Sequence, residues 1–169
     1  MNKIAKKVNR LPPSMSPEKK LTISLEIAMS PRKVWGFNPN SGGITIPASV
    51  KNDIEGRINN IAEKHFKGKY TRLDIHFKGQ FCYIDAFQEP EVSEDWPPKD
   101  WHEQRDEYIE RLRKTPTHLC RLRYFGNDKW GFAFYTYSND KYELSVFPNG
   151  EFLGIPEDAF MASAIYLNG

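Results

Sequence analysis

Hydrophobic and polar residues change period several times along this chain, and each change marks an element. Between Leu21 and Met29 apolar and polar residues alternate strictly, the period of a half-buried strand. From Pro47 to about Phe66 the period becomes helical. Val50, Ile54, Ile58, Ile61 and Ala62 form one apolar stripe, with Lys51, Asp53, Glu55, Arg57 and Glu63 on the other side. Pro47 suits the first turn of such a helix and Gly68 its end. Period two returns in 70–77 and 80–88, joined by Lys78-Gly79, which predicts a hairpin. A helix is predicted over 101–114, with Asp100 as N-cap and Glu103 in the capping-box position. Three strand-like runs follow, THLCRLRYF, KWGFAFYTY and KYELSVF, separated by GND and SND. Pro156-Glu-Asp opens a last helix that contributes Phe160, Met161, Ala164, Ile165 and Leu167.

The order β-α-ββ-α-βββ-α predicts an α+β fold: a mostly antiparallel sheet of five to six strands with helices packed on it. The length of 169 residues fits a single domain over 21–169 preceded by an arm over 1–20. That arm has few apolar residues and contains Pro12, Pro13 and Pro17, a composition expected to be flexible.

Charge adds an asymmetry that the net value of +2 hides. Residues 1–34 carry eight Lys/Arg against Glu18 and Glu26, a balance of +6; the remainder is at −4. A basic arm on an acidic body suits a polyanion, although a solvated tail would look the same. No apolar run reaches the ~18 residues of a membrane helix, and the amino terminus lacks the apolar core of a secretory signal. Two cysteines, Cys82 and Cys120, are too few for a disulfide framework, so a cytoplasmic location is expected.

Candidate chemistry depends on which side chains share a sheet face. A turn at Asn127-Asp128 sets Arg123 opposite Phe132 and Phe125 opposite Trp130. One face of the meander then carries Arg121, Arg123, Phe132 and Phe134. Arginine planes beside aromatic rings are what single-stranded nucleic acid stacks on. The competing expectation is that helices bury these rings while the arginines reach the rim. GFAFYTY at 131–137 resembles part of the octapeptide of RNA-recognition-motif domains. The match ends after seven residues, and a further strand follows where that family has a helix.

A turn at Lys78-Gly79 sets Arg72 opposite Asp85 and Asp74 opposite Tyr83, with His76 on the same face. Asp74 and Asp85 then become diagonal neighbours, about 7–8 Å apart. Two carboxylates and an imidazole make Asp74, His76 and Asp85 the catalytic candidates for a small hydrolase-like enzyme. A solvated face holding an Arg72–Asp85 ion pair explains the same residues without catalysis. A third reading gives the acidic, Pro- and Trp-containing loop 89–101 a docking role. The four histidines show no metal-ligand spacing, and no phosphate loop or serine-hydrolase signature occurs, so no metal and no cofactor is expected. The leading expectation is a non-catalytic binding protein, with nucleic acid as its candidate ligand.

Overall fold

The computed structural model describes residues 41–96 and 98–167, all within one compact unit. The expected arm over 1–20 and strand over 21–29 lie outside the described residues. The fold is α+β. Helix α1 spans Ala48–Phe66, as its apolar stripe predicts. Ile54, Ile58 and Ala62 are fully buried, and the chain leaves the helix at Gly68, whose φ of 82° a glycine adopts without strain. Strands β1 (Arg72–Lys78) and β2 (Phe81–Phe87) form the first hairpin. Strands β3 (Thr117–Tyr124), β4 (Trp130–Thr136) and β5 (Lys141–Ser145) continue it. The five strands lie in chain order, each antiparallel to the next.

Helix α2 covers Arg105–Lys114 and is shorter than predicted. Gln104, not Asp100, is its N-cap: Glu107 accepts a hydrogen bond from the Gln104 backbone N–H at 3.4 Å. Glu103 instead takes a bidentate bond from Arg111, both contacts at 3.0 Å. No residue of α2 is buried. Trp96 in the preceding loop packs its ring 5.0 Å from both Trp101 and Tyr108. Arg105 donates to the Val92 carbonyl at 2.9 Å, and Arg113 pairs with Glu89. The acidic loop is thereby tied down onto α2. Helix α3 (Pro156–Ser163) runs into a 3-10 turn at Ala164–Leu167.

Helices α1 and α3 cover one face of the sheet. That face carries Cys82, Ile84, Ala86, Cys120, Leu122, Trp130 and Phe132, all buried. Phe66 of α1 meets Phe160 of α3 edge-on at 5.8 Å. Among the described residues no helix is long and apolar enough to cross a membrane.

All three hairpin registers differ from the expected ones. In the first, Gly79-Gln80 is the turn and Lys78 pairs with Phe81. In the third, Thr136 pairs with Lys141 across a four-residue loop. Each is a slip of two, which moves partners but keeps every side chain on its face. The β3–β4 turn slips by one. Gly126, Asn127 and Asp128 all have positive φ (88°, 49° and 55°), and the Phe125 N–H donates to the Lys129 carbonyl at 2.9 Å. Leu122 therefore pairs with Phe132 and Cys120 with Phe134. Phe132 and Phe134 lie on the helix-covered face, opposite to Arg121 and Arg123, and the expected shared face is overturned. Burial decides this. The observed register buries the rings of Trp130 and Phe132, each contributing roughly 1.5–3 kcal/mol. The expected one would put Gly131 and Ala133 in their place.

One guanidinium fixes that turn. Arg57 of α1 donates to Glu157 of α3 at 2.5 and 2.6 Å and to both oxygens of Asp128 at 2.9 Å. It also donates to Asp53 one turn earlier, at 3.1 Å. Asp128 accepts a further bond from the Trp130 indole N–H at 3.1 Å. Burial pushes the Asp128 carboxyl up, but the bonds from Arg57 and Trp130 outweigh it and hold the group below the usual carboxylate range.

Arg57→Ala is expected to destabilise the fold by about 2 kcal/mol, since hydrogen bonds to charged groups contribute ~1.5–3 kcal/mol each and solvent screens the exposed side of this cluster. Urea unfolding measures it; an unchanged midpoint would remove the clamp from the account. A carboxyl depressed in the folded state adds stability above its unfolded value and loses it as pH falls through the folded one. Wild-type melting temperature should therefore fall below about pH 4, more steeply than that of Arg57→Ala. Cys82 and Cys120 are buried, and burial pushes the Cys120 thiol up to about 12. Neither should react with iodoacetamide at pH 8 until the protein is unfolded; rapid native labelling would contradict this packing.

Candidate nucleic-acid interface

The sheet's second face is built by the complementary positions of the same strands. Reading across one row, His76 pairs with Tyr83, Tyr83 with Arg121, Arg121 with Ala133, and Ala133 with Leu144. In the next row Lys78 pairs with Phe81, Phe81 with Arg123, and Arg123 with Gly131. Helices α1 and α3 pack on the other side, and no residue of α2 is itself buried.

Arg121 and Arg123 lie as expected on the face opposite Leu122, but their aromatic neighbours are different. The Arg121 guanidinium lies 4.8 Å from the centre of the Phe81 ring and 5.3 Å from that of Tyr142. Arg123 lies 4.9 Å from the centre of the same Phe81 ring. Tyr83 and Tyr142 meet at 5.5 Å, and Tyr142 and Tyr135 at 5.1 Å. Arg57, Arg111 and Arg113 each hold carboxylates, while Arg105 donates to backbone carbonyls and Arg72 lies over Phe87. Among the described residues Arg121 and Arg123 form no ion pair with a carboxylate. Burial disfavours the Arg123 cation and Arg121 repels it, so Arg123 is held below the ordinary arginine range. Two adjacent cations over aromatic rings form a ready seat for an anion that also stacks.

Asp74, His76 and Asp85 share this face, as alternation predicts. Their pairings are not those expected. Arg72 faces Phe87, its guanidinium 4.1 Å from the ring, and makes no ion pair with Asp85. Asp74 is directly opposite Asp85, not diagonal to it. His76 stacks on Tyr83 at 4.8 Å with the rings 3° from parallel.

Asp85 is only 6% exposed, and its main contact is His118 of β3. Ile84 pairs with Cys120 and Asp85 with His118, which leaves Leu119 without a partner on β2. This β-bulge reverses side-chain parity within β3. His118 consequently shares a face with Arg121, although strict alternation would turn it toward the core with Cys120. Its Nδ1 lies 2.8 Å from Asp85 Oδ1, and His76 Nδ1 lies 3.8 Å from Oδ2. The His118 backbone N–H donates to the Tyr137 hydroxyl at 2.8 Å, and its ring packs 4.5 Å from Tyr135. Burial first, then the nearby Asp85 charge, raises the Tyr142 phenol above its usual range. Tyr142 is thus a neutral hydroxyl at physiological pH.

Sequence reasoning missed Phe81, Tyr83 and Tyr142 as neighbours of the arginines and His118 as the partner of Asp85. The first two were on the correct face of their hairpin, so a correct β2–β3 pairing would have found them. The bulge has no signature in THLCRLRY. Among the described residues no cluster of His, Cys, Asp or Glu could hold a metal ion. The chain matches no protein-family model, no curated protein and no solved structure.

Proposed function

We propose that this chain is a binding protein that holds single-stranded nucleic acid on the exposed face of its sheet. The observation that carries the reading is the pair Arg121 and Arg123, which pair with no carboxylate among the described residues; Arg121 lies over the rings of Phe81 and Tyr142, Arg123 over that of Phe81, and Tyr83 is the strand partner of Arg121. Phosphates supply the missing negative charge, and bases supply planar faces for the tyrosines. The +6 balance of residues 1–34 favours the same class of ligand. Duplex DNA fits less well, because a sheet face lined with rings has no element shaped for the major groove.

Fluorescence anisotropy of a labelled single strand tests this. Affinity should fall steeply with salt, with a log–log slope of about −0.7 per phosphate contacted. Arg121→Ala combined with Arg123→Ala should flatten that slope by about one to one and a half. Tyr142→Ala should lose about 1–3 kcal/mol, the magnitude of one base stack. Affinity and slope that survive the double arginine variant would sink the proposal.

A further inference from the structure

The bulge at Leu119 places a second imidazole beside Asp85 that simple alternation would not. Asp85 is thereby bracketed: Oδ1 faces His118 Nδ1 at 2.8 Å and Oδ2 faces His76 Nδ1 at 3.8 Å. Because each ring turns Nδ1 toward the carboxylate, each has Nε2 on the side away from it. The two rings stand on β1 and β3, on either side of the Asp85 carboxylate on β2. Arg121 sits in the adjoining row, opposite the Tyr83 on which His76 stacks. Two imidazoles and a cation for the phosphate are groups that metal-free cleavage of RNA can use.

We infer that His118 and His76 act as general base and general acid in cutting single-stranded RNA. The inference rests on the nucleic-acid reading of this same face. The Nε2 of neutral His118 takes the proton from a ribose 2′-hydroxyl. The 2′-oxygen then bonds to the adjacent phosphorus, and the bond from phosphorus to the 5′-oxygen of the next nucleotide breaks. Protonated His76 gives its Nε2 proton to that departing oxygen. The products are a 2′,3′-cyclic phosphate and a free 5′-hydroxyl, with no water consumed and no redox change. Asp85 is a positioning residue: it holds the proton on His118 Nδ1 and stabilises the imidazolium that forms. Arg121 offsets charge on the non-bridging oxygens. DNA has no 2′-hydroxyl and would be bound but not cut.

The test uses the full chain with a fluorescent single-stranded RNA and its DNA counterpart, in EDTA. RNA fragments should end in 2′,3′-cyclic phosphate while the DNA stays intact. His118→Ala and His76→Ala should each slow cleavage at least about 100-fold. His65→Ala, exposed on α1, should cut at the wild-type rate. Should His118→Ala melt early, His76→Ala decides, since that side chain is 51% exposed and its loss costs little packing. The rate should be bell-shaped in pH, with the groups facing the two imidazoles being Asp74, Asp85, Tyr83, Arg121, Tyr135 and Tyr142. Asp85→Asn should lower kcat for cleavage while leaving the KM for RNA and the affinity for the DNA strand unchanged, because Asp85 touches His118 and not the strand. RNA that is bound but remains intact would overturn cleavage and leave the binding proposal standing. Failure to bind either strand at low salt would overturn both. Cleavage that persists in both histidine variants would come from another nuclease and would also overturn it.

Discussion

Side-chain parity along β3 is the constraint on which the rest of the structure depends. A strand offers only two faces, so one residue of slip exchanges everything on them. Two local departures set that parity here. At the carboxyl end, Gly126, Asn127 and Asp128 take positive φ and align Leu122 with Phe132, which closes the core. At the amino end, the unpaired Leu119 turns His118 outward while Cys120 stays inside. Between them Arg121 and Arg123 are left on the open face. Core and candidate site are therefore two readings of one register.

Holding the turn is a tertiary task. Asn and Asp tolerate the left-handed region better than most residues, yet each still costs conformational energy. Arg57 answers that cost from another element: it takes both oxygens of Asp128 and both of Glu157. The same contacts join α1 to α3. A helix whose apolar stripe fills the core thus controls, through its polar edge, a strand register on the far side of the sheet. Trp130 adds to this by burying its ring while its N–H bonds Asp128.

The exposed face owes its character to an imbalance. Carboxylates hold Arg57, Arg111 and Arg113, and others pair with Lys67 and Lys141. Asp85, the one buried carboxylate among the described residues of the sheet, faces two imidazoles and not a guanidinium. Arg121 and Arg123 are left with aromatic rings as their neighbours, which stabilise a cation without cancelling its charge. A surface of that kind attracts anions and offers them planar stacking at the same distance.

Elements whose signal is local were legible in the sequence. The stripe of α1, its end at Gly68, the two antiparallel hairpin systems and the outward set Asp74, His76 and Asp85 follow from period and punctuation; the order in which the two systems join does not. Slips of two at the first and third hairpins left those assignments intact, because an even slip conserves faces. The β3–β4 slip did not, and it removed Phe132 and Phe134 from the company of the arginines. Turn residues such as Gly-Asn-Asp suit loops of two or three residues equally, so only the burial of Trp130 and Phe132 against the helices selects between them. The bulge at Leu119 is likewise a matter of packing between three strands. Alternation within each strand was written in the sequence; which ring meets which charge was decided when the strands were aligned, because alignment is settled by the whole core and not by any one turn.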